Sequence, residues 1–263
     1  MNAFLSAFWA ETLKARRSKI SILTAAGFSI LPFVGGLFMI ILKDPEWARS
    51  MGLISAKAQL ATAGVADWPT FFNILMQGTA VGGAILFALI TAWVFGREFS
   101  DRTLKELLAL PTPRGIIVSA KFLLMALWIL GLTQMIFVMG LVIATAVVIP
   151  GWSTQLVWES FWALLLTALM TFMLMPFVAF FASVGRGYLP PMGWAFLTFA
   201  LGQIAAVLGW GDWFPWAVPA LYSGMAGSRA EQLGWHSYLL VFITFMAGVT
   251  ATFTWWRSAD QAR

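Results

Sequence analysis

The chain has 263 residues, of which 60% are hydrophobic and only 10% are charged, and its formal net charge is +5. Soluble domains average about 45–50% apolar and about 25% charged residues, so this composition excludes an ordinary soluble domain and indicates an integral membrane protein. Cysteine is absent from the sequence, which excludes a disulfide framework and a thiolate metal site.

The first segment, residues 3–19, is predicted to form an amphipathic helix. Such a helix lies at the membrane surface, with its apolar face toward the lipid and its cations toward anionic headgroups. The alternative is a basic flank that only fixes the orientation of the chain. The apolar face would hold Phe4, Leu5, Phe8, Trp9 and Leu13, and the rest of the helix surface would hold Ser6, Glu11, Lys14 and Arg17.

Six uncharged runs follow, and each is long enough to supply the roughly 20 apolar residues that a membrane-spanning helix needs. The sequence therefore predicts an all-α integral membrane protein in which a single domain covers residues 1–263. The predicted spans are about 20–42, 69–96, 115–149, 157–184, 189–209 and 234–256.

Six spans place both termini on one side of the membrane, and the basic residues identify that side. Of the 16 lysines and arginines, twelve would lie with the termini and four on the opposite side. Because basic residues accumulate in cytoplasmic loops, both termini are expected in the cytoplasm. The expected location is the cytoplasmic (inner) membrane of a prokaryote. The positive net charge is then a signature of topology and does not indicate nucleic-acid binding.

Two segments on the opposite side are expected to have local structure without crossing the membrane. Residues 43–67 are polar and have helix-forming composition, which predicts a short surface helix. Residues 210–228 are apolar, but they are too short and too rich in proline and glycine to cross. We expect this second segment to lie in the interface or to dip back toward the membrane.

The residues needed for chemistry are largely missing. The sequence contains no Gly-Lys pair and therefore lacks the phosphate-binding loop of P-loop ATPases. His236 is the only histidine, which excludes a HExxH metal site. No charged residue falls in the middle third of a predicted span, where ion-coupled transporters place their relays. We therefore expect no enzymatic activity, no metal site and no cofactor in this chain.

A few side-chain amides lie within the predicted spans. Unsatisfied amides are costly in hydrocarbon, so these should face another helix or a cavity. Hydrogen bonding between helices is one interpretation, and the lining of a substrate pathway is the other. The candidate pathway residues are Asn73 and Gln77 on span two and Gln134 on span three.

The segment between spans two and three carries dense charge. Ser100 or Asp101 can cap a helix, and Thr103 with Glu106 fits a capping box, so a helix over 101–109 is predicted. Leu104, Leu107 and Leu108 would form an apolar ridge on this helix, and Pro111 and Pro113 would end it. Two interpretations remain open: a rigid helix that docks into a groove on a soluble partner, or an ordinary solvated loop.

The pattern from Glu98 to Lys121, Glu-Phe-x-x-x-Thr-Leu-Lys-x-Leu-Leu-x-x-Pro-x-x-Arg followed seven residues later by Lys, resembles the segment between spans two and three of ABC type-2 permeases. These include the bacitracin, lantibiotic and sodium exporter permeases. The resemblance implies a coupling helix that contacts a separate ATPase subunit, which binds ATP and Mg. It further implies an assembly of two ATPase subunits with two permeases, identical or homologous. The candidate ATPase-coupling residues are Glu98, Asp101, Arg102, Thr103, Leu104, Lys105, Glu106, Leu107, Pro111 and Arg114.

The function expected from the resemblance is export of a lipophilic or amphipathic substrate, such as a peptide antibiotic, a drug or a lipid. One alternative is a permease that exports a glycan, with aromatic rings stacking on sugars. Another alternative is a membrane scaffold or sensor that uses the charged segment to dock a regulator. A membrane enzyme is disfavoured because the sequence offers no acid–base pair for catalysis.

Overall fold

The computed structural model describes residues 3–52, 64–109, 111–224 and 233–258, and their regular structure is helical. Six stretches in these ranges are long and apolar enough to cross a membrane, which confirms the predicted fold class. The helices are α1 (Ala3–Arg17), α2 (Lys19–Lys43), α3 (Pro45–Ser50), α4 (Trp68–Gly78), α5 (Ala84–Ser100), α6 (Leu104–Leu108), α7 (Arg114–Val147), α8 (Thr154–Val184), α9 (Leu189–Leu208), α10 (Val218–Tyr222) and α11 (Trp235–Ser258).

The six spans are α2, α4 together with α5, α7, α8, α9 and α11. Their ends lie within a few residues of the predicted bounds, because charged and turn-forming residues mark them in the sequence. The Asp67 side chain accepts a hydrogen bond from Thr70 N (2.9 Å) and caps span two. Span three ends at Val148, which has φ 55° in the left-handed region just before Pro150 and Gly151.

Span four lies at the centre of the bundle and packs against spans two, three, five and six. Span six packs closely against span four beside Pro176, which lies inside the helix. A Cβ atom added at Gly248 would lie 2.8 Å from the backbone nitrogen of Phe177, so this contact requires glycine. The Thr252 hydroxyl of span six donates to the Pro176 carbonyl of span four (3.3 Å), and this hydrogen bond helps to join the two spans.

Span two contains a π-helical turn, Thr79–Gly83, between α4 and α5. Short π-helical segments insert an extra residue and often lie near functional sites. Leu31 of span one packs on Gly78, and Phe28 of the same span would be 3.4 Å from a Cβ at Gly83. Packing within one chain therefore explains these two glycines. Gly82 has no described neighbour within 4 Å of the position a Cβ would take.

The segment after span five returns toward the bundle. It forms a 3₁₀ turn at Gly211–Trp213 and then α10. The Trp216 ring packs on Phe177 of span four and Trp194 of span five, with centroids 5.9 and 5.8 Å apart. Of the two expected arrangements, dipping back between the spans is the one found. Residues 225–228 of this segment lie outside the described ranges. So do residues 53–63 of the 43–67 segment, for which a surface helix is predicted and in which α3 is described.

Candidate coupling site

The segment between spans two and three begins with an abrupt reversal of the chain. Span two ends at Ser100, and Arg102 then has φ 58°, in the left-handed region that residues with side chains rarely adopt. The Thr103 amide donates to the Glu98 carbonyl (3.0 Å), which fixes the reversal against the end of span two. Helix α6 follows, and it is shorter than the predicted helix over 101–109.

The predicted capping box at Thr103 is wrong. Thr103 has φ −91° and ψ 0°, whereas a capping residue needs extended backbone to direct its hydroxyl at the first free amides. Its side chain caps none of the described α6 amides. The chain reversal at Arg102 sets this conformation, so α6 is held by its neighbours and not by its own cap.

The apolar ridge of α6 packs inward. Leu104 is 8% exposed and belongs to the buried core, and Leu107 is half-buried against it. The side chain of Leu108 lies outside the described part of the structure. The sequence predicts that this ridge docks into a groove on a partner. In the structure, Leu104 and Leu107 instead pack α6 against its own chain. The exposed side is polar and consists of Asp101, Arg102, Thr103, Lys105 and Glu106.

Glu98, whose carbonyl accepts the Thr103 amide, belongs to a cluster of four charged residues, Glu11, Lys14, Glu98 and Lys121, here called the buried ion network. Lys121 Nζ donates to Glu98 Oε1 (2.8 Å), to Glu11 Oε2 (3.1 Å) and to the Val94 carbonyl (2.8 Å). An ammonium group has three N–H donors, so Lys121 is fully satisfied although its side chain is completely buried. Lys14 Nζ donates to Glu11 Oε1 (2.6 Å) and Glu98 Oε1 (2.9 Å).

The buried ion network joins three elements that are distant in sequence. Glu11 and Lys14 come from α1, Glu98 from the end of span two, and Lys121 from the start of span three. Two carboxylates balance two ammonium groups, which lowers the cost of burying each of them. One carboxylate oxygen, Glu98 Oε2, is buried and has no hydrogen-bond partner among the described residues.

The surroundings of two network members differ from the sequence prediction, which places Glu11 and Lys14 on the polar surface of an interfacial helix. In the structure Glu11 is 5% and Lys121 0% exposed, whereas the apolar Leu5 and Trp9 of α1 are more than half exposed. Helix α1 therefore packs Glu11 and Lys14 on the protein and turns these two apolar side chains outward. A hint was present in Glu11, which is the only acidic residue of α1 and lies three positions before Lys14.

Further contacts hold the end of span two in place and join it to the turn between spans four and five. Arg97 Nε donates to Asp101 Oδ2 (3.1 Å), and the Arg97 guanidinium lies 5.0 Å from the Trp93 ring centroid. A Cβ atom at Gly96 would lie 2.9 Å from the Gly187 carbonyl oxygen, so span two touches the turn between spans four and five. Burial raises the pKa of the neighbouring Tyr188 phenol above its ordinary value, although a hydrogen bond with Ser100 opposes this shift.

The remaining coupling candidates take separate positions. Pro111 is exposed in the connection to span three. Arg114 begins span three, and its Nη1 atom donates to the carbonyls of Trp256 (3.3 Å) and Arg257 (3.5 Å). These carbonyls belong to the last turn of span six, where a guanidinium is favourable. Arg114 thus ties the start of span three to the end of span six.

Within one chain, the proposed pathway amides lie on two spans. Asn73 and Gln77 lie one turn apart on α4, and Gln134 lies on span three. Asn73 and Gln134 are exposed, and Gln77 is partly buried. None of the three makes a hydrogen bond to a described residue, so the interhelical bonding considered from the sequence is not found within the chain. Within the same ranges, no group of three or more Asp, Glu or His side chains is placed to hold a metal ion.

Comparison with known proteins identifies the family. A family model described as "ABC-2 family transporter protein" matches residues 7–202, which includes α1, the buried ion network and α6. The chain belongs to the ABC-2 transporter family. It is also 26% identical, over 192 residues, to the bacitracin transport permease protein BCRB of Bacillus licheniformis, a match that covers 73% of this chain and 91% of that protein. No solved structure matches.

Membership of the ABC-2 family confirms the resemblance drawn from residues 98–121, and it identifies the chain as a multi-pass membrane component of a transporter. The match begins in α1, before the first span. The family pattern therefore includes the helix that supplies Glu11 and Lys14 to the buried ion network.

Proposed function

We propose that this chain is the permease subunit of an exporter that is driven by ATP hydrolysed on a separate subunit. The observation that carries the proposal is the position of α6. Its exposed polar side is available to a soluble partner, while the backbone just before it is bonded to Glu98, a member of the buried ion network. A force applied to α6 would thus reach three helices at once.

The transmission route consists of short contacts. Displacement of α6 pulls on the Thr103 amide and on the Glu98 carbonyl that accepts its hydrogen bond. Glu98 is paired with Lys121 and Lys14, so the start of span three and α1 move with the end of span two. Breaking a buried ion pair costs about 3–5 kcal/mol, which is enough to keep these elements together while spans two and three tilt.

The coupling surface then divides into two groups of residues. Asp101, Arg102, Lys105 and Glu106 are exposed and are proposed to contact the ATPase subunit. Glu98 and Leu104 are buried, and they are proposed to transmit the motion without touching the partner. Roles for Thr103, Leu107, Pro111 and Arg114 in coupling remain predictions.

The proposed assembly contains two ATPase subunits, which hold ATP and Mg, and a second permease, identical or homologous. Asn73 and Gln77 support the second permease, because amides exposed on a span are costly in lipid and favour a neighbouring chain or a cavity between chains. With Gln134, they are the proposed polar contacts along the substrate pathway. The distribution of lysines and arginines between the two sides favours the inner membrane with cytoplasmic termini. Three of the residues in that distribution lie outside the described part of the structure: Arg263, Lys57 and Arg229.

The proposed cargo is lipophilic or amphipathic. The relative BCRB is a bacitracin transport permease, which supports a peptide antibiotic as one substrate class. A drug or a lipid would suit the same apolar surroundings. Export of a glycan and a non-transporting scaffold or sensor are the alternatives, and they differ in what stimulates ATP hydrolysis.

Reconstitution of the permease with its ATPase subunit in proteoliposomes tests both the coupling and the cargo. Reversing the exposed charges with Lys105→Glu and Arg102→Glu should abolish most substrate-stimulated ATP hydrolysis without affecting membrane insertion. The matched control is Arg49→Glu in α3, an exposed arginine on the opposite side of the membrane in the proposed topology. Equal stimulation in the α6 variants and in the unmodified complex would contradict the coupling role. Stimulation by saccharides and not by amphipathic peptides would favour the glycan alternative.

A further inference from the structure

A cleft of about 630 Å³ opens at the end of the bundle where span three begins and span six ends. Arg114 and Arg257 lie in it, together with the Ser119 hydroxyl. Its apolar walls are formed by Phe4 of α1, Ile116 of span three and Phe253 of span six. We call this the basic cleft, and the functional proposal above does not use it.

The charges of the basic cleft are only partly used by the protein. Arg114 uses one of its nitrogens, Nη1, to donate to the carbonyls in the last turn of span six. Arg257 is exposed, and its guanidinium makes no hydrogen bond or ion pair with any described residue. A guanidinium group carries five N–H donors in a planar fork that matches a phosphate. None of the described residues lining the cleft is acidic, so an anion there meets no repelling carboxylate.

The position of the cleft relative to the membrane follows from the helix ends. Ile116 is the third residue of span three, and Arg257 is the last residue but one of span six. Trp255 lies in the same turn of span six, and tryptophan is enriched where the membrane meets water. The cleft therefore lies at the headgroup level, with its apolar walls leading toward the hydrocarbon.

We propose that the basic cleft binds the headgroup of an anionic phospholipid, with the phosphate between Arg114 and Arg257. Ser119 supplies a further donor, and an acyl chain extends along Phe253 and Ile116. Basic pockets between membrane helices bind lipid headgroups in this manner. A soluble phosphate would satisfy the arginines but would leave the apolar walls unused. The bound lipid would join α1, span three and span six beside the buried ion network, and this site goes beyond the transport function proposed above.

The proposal is testable on the purified full-length chain. Native mass spectrometry during titration with phosphatidylglycerol gives the ratio of lipid-bound to free chain, and phosphatidylcholine serves as the zwitterionic comparison. We expect tighter binding of phosphatidylglycerol. The change Arg257→Gln should weaken that binding about fivefold, the effect of losing one cation near the headgroups. Because the Arg257 side chain bonds to no described partner and the substitution keeps the Arg257 carbonyl, this variant should fold normally.

A second variant fills the cleft and keeps both arginines. A Cβ atom at Gly115 would lie 4.0 Å from Nη2 of Arg257 and 3.9 Å from the Phe253 ring, so the larger side chain of Gly115→Leu would occupy the space of the headgroup. This variant should lose the preference for phosphatidylglycerol over phosphatidylcholine. The matched control is Arg17→Gln, an exposed arginine at the end of α1 that does not line the cleft. Its phosphatidylglycerol binding should be unchanged.

Three results would overturn the proposal. The first is equal binding of the two lipids by the unmodified chain. The second is an equal loss of binding in the Arg17 and Arg257 variants, which would mean that only general surface charge is sensed. The third is displacement of phosphatidylglycerol by millimolar inorganic phosphate, because the cleft would then be a site for a soluble anion. All three are independent of ATP hydrolysis, so failure of the transport proposal would not affect the result.

Discussion

The two ends of the helix bundle are held together by different forces. At the end that carries α6, the buried ion network joins α1, span two and span three through contacts of 2.6 to 3.1 Å. At the other end, span two is anchored by Trp68, whose ring packs on Trp152 (4.8 Å between centroids) and whose amide donates to the Pro150 carbonyl (3.2 Å). Among the described residues, buried ion pairs occur at the α6 end, beside aromatic contacts such as Phe95–Phe122. The described ion pairs at the opposite end are partly or largely exposed to water.

This difference has a mechanical consequence. Ion pairs and hydrogen bonds lose most of their energy when their atoms are displaced, so the elements at the α6 end should move together. The burial of apolar surface is non-directional, so apolar contacts can slide against each other at smaller cost. A force on α6 would therefore move α1, span two and span three together at the α6 end. At the opposite end, the same force would make the packed side chains rearrange. The π-helical turn of span two, Thr79–Gly83, lies between these two ends of the span.

The largest effect is expected from Lys121→Met, which removes the cation at the centre of the buried ion network. Glu98 and Glu11 would keep only Lys14 as a partner, so the free energy of unfolding should fall by about 3–5 kcal/mol. Thermal unfolding of the purified chain in detergent measures the loss. The control is Lys105→Met on the exposed side of α6, which should have little effect. Restoration of part of the stability by adding Glu98→Gln would confirm that the loss arises from an unpaired charge.

A smaller loss is expected when the aromatic anchor at the opposite end is reduced. The change Trp68→Leu removes a 2% exposed ring that contacts Phe71, Phe72 and Trp152, and it should lower the free energy of unfolding by about 2–3 kcal/mol. It should leave association with the ATPase subunit unchanged. Loss of that association in Trp68→Leu would show that the two ends are not mechanically separate.

The contrast between the ends also explains which features could be predicted from sequence. The six spans were predictable because each is bounded by charges, prolines or glycines, and their lengths follow from the thickness of the membrane. The partners of Lys121 were not, because Glu11 lies 110 positions and Glu98 lies 23 positions away in the chain. A lysine that is paired inside the protein and a lysine that faces water look the same in one sequence.

The candidate site was predicted in location but not in orientation. The charge density of residues 98–121 identified the segment, yet the direction of Leu104 depends on a reversal at Arg102 that no local pattern requires. The same reversal gives Thr103 a helical backbone and defeats its capping motif. Glu11 and Lys14 lie on the polar face of α1, as the pattern predicts, but that face meets protein. An amphipathic pattern identifies the two faces without saying which one meets protein.

Glu11→Gln tests whether α1 belongs to the charged end as a working part. The substitution removes one of the two carboxylates that face Lys121 but leaves the contact with Glu98, so the free energy of unfolding should fall by about 1–3 kcal/mol. The sharper expectation concerns function: with α1 released, substrate should stimulate ATP hydrolysis less, while the ATPase subunit still binds. Arg16→Gln, an exposed position on the same helix, is the control. Unchanged stimulation in Glu11→Gln would limit α1 to a structural role.

The smallest effect is expected where Asp212 meets His236 at the end opposite α6. His236 Nε2 lies 3.3 Å from Asp212 Oδ2, and the His236 ring stacks on Trp213 with centroids 4.4 Å apart. Both side chains are 26% exposed, so water screens the contact and its removal by Asp212→Asn should cost less than about 1 kcal/mol. Thermal unfolding at low and high salt measures this cost. If the loss instead matched that of Lys121→Met, electrostatic contacts would hold both ends, and the proposed division between a rigid end and a sliding end would fail.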